Sequence, residues 1–96
     1  MKIAVTYEDG RIFQHFGHTE QFKIYETADG RIVRAEVVDT NGSGHGALAD
    51  SLMRQGVDAL ICGGIRGGAQ AALAEADIRL YGGASGEADA AVNALQ

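Results

Sequence analysis

The first forty residues alternate short apolar runs with turn residues, a pattern that favours strands over helices. The pattern predicts three strands, at residues 2–7, 22–27 and 31–39. Asp29-Gly30 separates the last two runs and is typical of the tight turn of a β-hairpin. Residues 12–21 have no regular period, so we predict a loop there, held on the core by its phenylalanines.

The remainder of the chain carries apolar positions at helical spacing between shorter apolar runs. We predict helices at 47–55, at 69–76 and after an N-cap at Ser85, and strands at 57–61 and 78–81. Gly56 is placed to end the first of these helices in the left-handed conformation. The small polar stretch 40–46 predicts a mobile surface loop that carries His45.

The resulting element order, βββαβαβα, predicts an α/β domain with one mixed five-stranded sheet and three helices. In the arrangement that we favour, the first strand lies beside the central strand 57–61, and the segments that follow both strands open at the same edge of the sheet. Ligands of open α/β sheets bind at such carboxyl ends. We therefore expect the loop from His15 to His18 to lie near Cys62 and Arg66.

A glycine-rich turn, Cys62-Gly63-Gly64-Ile65-Arg66-Gly67-Gly68, leads from the central strand into the second helix. Glycines allow a ligand to approach the backbone closely, and the N-terminus of a helix favours anionic groups. The turn is therefore a candidate ligand loop with a fixed positive charge at Arg66. A tight strand-to-helix turn with a structural, buried Cys62 is the alternative.

Composition indicates one domain spanning residues 1–96, because 96 residues with 46% hydrophobic content support a single core. A net charge of −5 argues against nucleic acid and anionic membranes as partners, since both are bound through basic surfaces. A single cysteine forms no intramolecular disulfide, and no apolar run reaches membrane-spanning length. We expect a cytoplasmic protein.

The candidate metal ligands are three histidines and the cysteine: His15, His18, His45 and Cys62. Their spacing does not fit a closed structural zinc site, which needs four ligands at short intervals. Scattered loop ligands could instead hold one face of a preformed cluster that brings most of its own ligands. Each histidine is otherwise a solvated loop residue or a hydrogen-bond partner of the backbone.

The segment His15-Phe16-Gly17-His18, followed by Phe22, resembles the dinitrogenase iron-molybdenum cofactor biosynthesis family. The glycine turn from Cys62 to Ala69 and the run from Ala76 to Tyr81 extend this resemblance over nearly the whole chain. The resemblance implies a ribonuclease-H-like fold and a binding role rather than enzymatic turnover. Arg66 departs from the family pattern, since many relatives have a small residue there.

Transferred by position, the suspected cluster-contacting residues of the family fall on the histidine loop and on the glycine turn. The cofactor-binding set is then His15, Phe16, Gly17, His18, Cys62, Gly63, Gly64, Arg66, Gly67 and Gly68. The implied cargo is an iron–sulfur or iron–molybdenum cluster or its precursor, and the implied partners are proteins that donate or accept that cluster.

Three functional hypotheses remain open at this point. The first is a metallocluster carrier, in which histidine and cysteine ligate weakly and Arg66 offsets the negative charge of the cluster. The second is a regulatory module that binds a small anion or a nucleotide through the glycine turn and needs no histidine. The third, an enzyme using Cys62 as nucleophile, is weaker because nothing in the sequence pairs this thiol with a base. A nuclease is not expected, since the first strand carries no acidic residues at its centre.

Overall fold

The computed structural model describes residues 1–40 and 45–95, the side chains of residues 45 and 46 excepted. The strands are β1 (Lys2–Glu8), β2 (Arg11–Ile12), β3 (Gln21–Ala28), β4 (Arg31–Asp39), β5 (Ala59–Ile61) and β6 (Arg79–Tyr81). The helices are α1 (His45–Arg54), α2 (Gly67–Glu75) and α3 (Ala88–Leu95), and one 3-10 turn covers Phe16–His18. The predicted mixed α/β architecture with three helices is confirmed.

The strands form one mixed sheet with the order β4-β3-β1-β5-β6, and β2 pairs with the end of β1. β1 is parallel to β5, and β5 is parallel to β6, whereas β1, β3 and β4 are antiparallel. The five predicted strands are all present. The predicted neighbour relation between the first strand and the central strand is also confirmed.

Two tight turns connect the antiparallel strands. Asp29 and Gly30 have φ angles of 53° and 75°, and this pair of left-handed residues joins β3 to β4 as the sequence predicts. Asp9 and Gly10, with φ of 48° and 83°, make the same connection from β1 to β2. β2, which is two residues long, was not predicted; it adds a sixth strand where the predicted turn ends and the predicted loop 12–21 begins.

The sheet separates two apolar clusters because neighbouring residues of β1 point to opposite faces. Ala4 belongs to the cluster beneath α1 and α2, whereas Ile3 and Val5 pack with Ala88 and Val92 of α3. Thr6 is also buried, and its hydroxyl donates to the Phe13 carbonyl over 2.8 Å. Both faces of the central strands are thus covered by helices.

The helix ends differ in how closely they follow the sequence pattern. Gly56 ends α1 with a φ of 73°, and the amides of Gly56 and Val57 donate to the carbonyls of Met53 and Leu52, a Schellman motif. Ser85 lies three residues before α3, so its predicted N-cap role is wrong.

Within the described residues, no helix is long and apolar enough to span a membrane. Of the predicted loop at 40–46, residues 41–44 lie outside the described residues, and the assignment of residues 45 and 46 to it is wrong because α1 begins at His45.

Candidate functional site

A cavity of about 630 Å³ opens at the carboxyl edge of the sheet, between the segment after β2 and the turn after β5. Its lining residues come from these two segments alone: His15, Phe16, Gly17, His18, Gly64, Ile65 and Arg66. Ten residues were expected to bind the cargo, and six of them line this cavity. The structure thus brings the histidine loop to the glycine turn at the edge that the parallel strands predict.

Backbone hydrogen bonds hold the two segments together. The Gly64 amide donates to the Gln14 carbonyl over 2.6 Å, and the Phe16 amide donates to the Gly64 carbonyl over 3.0 Å. These contacts form a parallel bridge between His15 and Gly64 beyond the ends of β1 and β5. The position of His15 is therefore fixed by backbone pairing rather than by its own side chain.

Gly63 is required next to the cavity, just before Gly64, because the backbone of Gln14 lies against it. A Cβ atom at position 63 would lie 2.6 Å from the Gln14 Cα atom, well inside van der Waals contact. The Gln14 side chain also bridges this region, donating through Nε2 to the carbonyls of Ile12 and Ala84 at 3.1 Å. Gly63 therefore serves the packing of two chain segments and not the approach of a ligand.

The aromatic residues anchor the histidine loop as the sequence predicts. Phe16 is 1% exposed and Phe22 is 2% exposed, with their ring centroids 6.1 Å apart. His15 and His18 flank Phe16 and are both exposed, and their rings form a T-shaped pair with centroids 6.4 Å apart. Two imidazoles are thus presented side by side at the mouth of the cavity.

The N-terminus of α2 contributes positive electrostatic potential beside the histidines. Arg66 occupies the N-cap position, where its carbonyl accepts from the Gln70 amide and its side chain makes no capping hydrogen bond. The first amides of a helix, here those of Gly67 and Gly68, have no intrahelical acceptor. The exposed guanidinium and the helix end therefore both favour a negatively charged occupant.

Cys62 does not line the cavity, contrary to the expectation from sequence. Its side chain is fully buried, in the same cluster as Leu60 and Leu73 beneath α2. Burial raises the pKa of the Cys62 thiol to about 11, so the thiol is neutral at physiological pH. Cys62 therefore presents no accessible thiolate to the cavity in this structure.

Three further glycines of the predicted binding set, Gly63, Gly67 and Gly68, are also absent from the cavity lining. Gly67 and Gly68 begin α2, which starts two residues earlier than predicted. Ile65, which lines the cavity, was not named as a site residue. Ile65 lies between Gly64 and Arg66 in the sequence, and this position could have identified it as a lining residue.

No group of three His, Cys, Asp or Glu side chains able to hold a metal ion occurs among the described residues. His45 begins α1, but its side chain, named as a candidate ligand, lies outside the described part of the chain. The described site thus offers two imidazoles, one guanidinium and backbone amides. Such a set suits an occupant that carries most of its own ligands.

Comparisons with known proteins give relatives of similar size. An uncharacterized protein of Methanocaldococcus jannaschii is 34% identical over 86 residues, which covers 84% of this chain and 73% of that protein. The high-resolution structure of the apo form of the orange protein from Desulfovibrio gigas superposes with a TM-score of 0.84 at 30% identity, covering 98% of this chain and 85% of the other.

A third match confirms the architecture alone. The crystal structure of PH0822 has a TM-score of 0.93 at 22% identity and covers 99% of this chain and 88% of that one. The sequence profile described as dinitrogenase iron-molybdenum cofactor matches residues 1–96. The chain therefore belongs to the dinitrogenase iron-molybdenum cofactor family, as the histidine segment and the glycine turn predict.

Proposed function

We propose that this protein is a small carrier that binds an iron–sulfur or iron–molybdenum cluster, or a precursor of one, in the cavity between the histidine loop and the glycine turn. The observation that carries the proposal is the placement of His15, His18 and Arg66 around one opening. Membership of a cofactor-related family supports the same class of cargo.

The histidines would supply the direct contact with the metal. An imidazole nitrogen is a good ligand for iron when it is neutral, and both side chains are exposed, so little protein must move for binding. Two monodentate ligands on one face of a cluster also hold it weakly. Weak ligation is an advantage for a carrier, because the cargo must leave again.

Charge complementarity would supply the second part of the affinity. The chain carries a net charge of −5, which by itself repels an anionic cluster. Arg66 is the cation among the described residues that line the cavity, and the amides at the start of α2 lie beside it. These groups would offset the negative charge locally, where the general field of the protein is unfavourable.

The arrangement is better suited to binding than to catalysis. The thiol of Cys62 is buried and neutral, so it offers no nucleophile to a substrate in the cavity. The exposed position of both histidines instead leaves the cargo accessible to other proteins. The partners would accordingly be proteins that donate the cluster or accept it.

A second candidate is a module that binds a small anion or a nucleotide without metal. The observation that favours it is the start of α2, where Arg66 makes no side-chain cap and the first amides are available. This candidate requires Arg66 and the helix end but assigns no role to His15 or His18. The two functions therefore predict different responses to the same ligands.

Anaerobic reconstitution tests the proposal. The purified protein would be incubated with a preformed iron–sulfur cluster that has exchangeable thiolate ligands, then separated from free cluster and assayed for bound iron and visible absorbance. Parallel titrations with inorganic phosphate and with ATP, followed by calorimetry, test the second candidate. Retention of iron supports the carrier function, and binding of phosphate or ATP without iron retention supports the anion-binding module instead.

A further inference from the structure

β4 forms one edge of the sheet and leaves its outer side without a partner strand among the described residues. It is nine residues long and exposed along most of its length. Val33 is 61% exposed and Val37 is 42% exposed, which makes them two of the large hydrophobic side chains that the described surface presents to solvent. Long, exposed edges with apolar side chains pair readily with another strand, so natural proteins usually protect them.

The sequence of β4 is complementary to itself when read in opposite directions about Ala35. In an antiparallel pair centred on this residue, Ala35 faces its own copy, Arg34 faces Glu36 of the second copy, and Val33 faces Val37 of the second copy. Each unlike pair occurs twice because of the two-fold symmetry. Opposite charges and apolar pairs placed directly across from each other both stabilise neighbouring strands.

The register with β3 places the central charges on one face of the sheet. Arg34 is opposite Glu26, and Glu36 is opposite Ile24, so these two central charged residues share the face that Ile24 occupies. Arg34 makes an exposed ion pair of 3.8 Å with Glu26, and the described residues provide no ion pair for Glu36. Glu36 is therefore available to a cation that a second copy would supply.

The edge is also electrically neutral although the whole chain is acidic. β4 contains two arginines and two carboxylates, Arg31, Arg34, Glu36 and Asp39, while the chain has a net charge of −5. Two copies repel each other through most of their surface. Approach through β4 avoids that repulsion and adds attraction between the unlike pairs.

From this complementarity we propose that β4 is an interface through which two copies of this chain associate, antiparallel about Ala35, to form one continuous sheet. The occupant of the edge is thus a second copy of the chain. The ladder between β3 and β4 bulges between Glu26 and Thr27, where Val33 has no partner residue in β3, whereas Arg34 to Asp39 stay in register. The pairing is therefore centred on Ala35 within the regular part of the strand, and the Val33–Val37 contact lies at its margin.

The cavity at the glycine turn remains open in this dimer, since β4 is separated from β1 by β3. The proposal is therefore independent of the cargo. The opposite edge, β6, is only three residues long and is a poorer template for strand pairing. A β4-to-β6 contact would also leave free edges and continue into open-ended assemblies rather than stop at two copies.

A charge-swap series measured by sedimentation equilibrium tests the interface with the full chain. The wild-type protein is expected to show a monomer–dimer equilibrium between micromolar and millimolar concentration. Arg34→Glu and Glu36→Arg each place like charges opposite each other twice, and each is expected to raise the dimer dissociation constant by about tenfold or more. The double variant Arg34→Glu/Glu36→Arg restores unlike pairs and is expected to restore dimerisation.

Two further variants make the result specific. Val33→Lys adds an exposed charge at the edge and is expected to weaken the dimer, whereas Arg79→Glu on β6 reverses a charge at the other edge and is expected to leave it unchanged. All variants change exposed residues, so their thermal unfolding should match that of the wild type. A monomeric wild type, a double variant as weak as either single variant, or open-ended association would each overturn the proposal.

Discussion

The backbone amide of Gly64 donates a hydrogen bond of 2.6 Å to the carbonyl of Gln14, and this contact joins the histidine loop to the glycine turn. It belongs to an isolated parallel bridge between His15 and Gly64, outside the strands of the sheet. The cavity is therefore shaped by two backbone segments that follow β2 and β5. Its geometry depends on how closely these two segments of backbone can approach each other.

Gly63→Ala is expected to disturb that approach. The added Cβ atom would lie 2.6 Å from the Gln14 Cα atom, and backbone at this position cannot move aside without breaking the neighbouring hydrogen bonds. We expect a loss of about 1–3 kcal/mol in the free energy of unfolding, the range typical of overpacking. Urea denaturation measures it. Gly67→Ala is the matched control, because nothing lies within 4 Å of a Cβ atom there. Equal stability of the two variants would contradict this account of Gly63.

Asp89 fixes α3 to the sheet, and its removal is expected to destabilise the fold. Its carboxylate accepts hydrogen bonds from the buried Tyr25 hydroxyl and, at 2.9 Å, from the Lys23 ammonium. Asp89→Ala leaves the Tyr25 hydroxyl without this acceptor, which should cost about 1 kcal/mol. Lys23→Ala is the comparison, since it removes the ammonium contact with Asp89, together with the cation–π contacts to Tyr7 and Tyr25, and keeps the Tyr25 hydrogen bond. If Asp89→Ala unfolds like the wild type, the hydroxyl has found another acceptor.

The hydrogen bonds of Asp89 also make the free energy of unfolding depend on pH. The hydrogen bond from Tyr25, followed by that from Lys23, lowers the pKa of Asp89 below its usual value. A lowered pKa in the folded state contributes stability above the unfolded pKa, which is about 3.9 for aspartate, and this contribution is lost as the pH falls below it. Unfolding of Asp89→Asn should therefore depend less on pH below about 4 than unfolding of the wild type.

The fold was largely predictable because its signals are local. Asp29-Gly30 identifies a hairpin through the left-handed angles that both residues adopt, and Gly56 identifies the end of α1 in the same way. Asp9-Gly10 carries the same signal, but the two-residue β2 is too short to show an alternating pattern. The neighbour relation of β1 and β5 followed from element order.

The candidate site was predictable only in part, since it depends on which face each side chain takes. Leu60 and Cys62 are two residues apart, so strand alternation places both beneath α2, and this period could have excluded Cys62 from the cavity. The packing of Gly63 against Gln14 could not be read from the sequence. It joins residues 49 positions apart whose contact exists only in the folded chain.

Cys62 provides a test of its buried position at high pH. Burial raises the pKa of the thiol from 9.0 to about 11. Because the folded state holds the proton more tightly, the stability that the neutral thiol contributes is complete below pH 9 and is lost as the pH rises towards 11. The loss amounts to about 2–3 kcal/mol at most. Cys62→Ala should remove this part of the pH dependence, measured by urea denaturation between pH 8 and 11.

Cluster binding by a Cys62 variant tests whether this cysteine takes part in the binding site. If Cys62 has only a core role, Cys62→Ala should retain iron–sulfur cluster as well as the wild type once both are folded. Iodoacetamide should modify the folded wild type slowly at pH 8, since both burial and the raised pKa suppress the thiolate. Rapid alkylation, or loss of the cluster in Cys62→Ala, would return this cysteine to the binding site.

Arg66 is expected to strengthen binding of an anionic occupant. Arg66→Gln removes the guanidinium that lines the cavity and keeps a side chain of similar length. Arg54→Gln removes the same charge from the last turn of α1, away from the cavity, and is the matched control. We expect several-fold weaker retention of the preformed iron–sulfur cluster in Arg66→Gln only. Equal weakening in both variants would show that net charge matters and that the position of Arg66 does not.

The histidine pair makes the sharpest prediction about the carrier function. His15 and His18 are exposed at the cavity while the neighbouring Phe16 is buried, so the imidazoles can be removed without disturbing the anchor of the loop. We expect His15→Ala/His18→Ala to lose most of its capacity to retain the preformed iron–sulfur cluster. Its free energy of unfolding should change by less than about 0.5 kcal/mol, as for other exposed loop substitutions.

The single histidine variants and one neighbouring substitution serve as controls for the loss of cluster binding in the double variant. Either histidine alone should retain part of the bound iron, because each supplies one ligand. Glu20→Ala changes an exposed residue just beyond the loop and should bind iron as the wild type does. Full iron loading of the double histidine variant would exclude direct ligation by this pair. If phosphate or ATP binding were then lost in Arg66→Gln, the cavity would be an anion site organised by the start of α2.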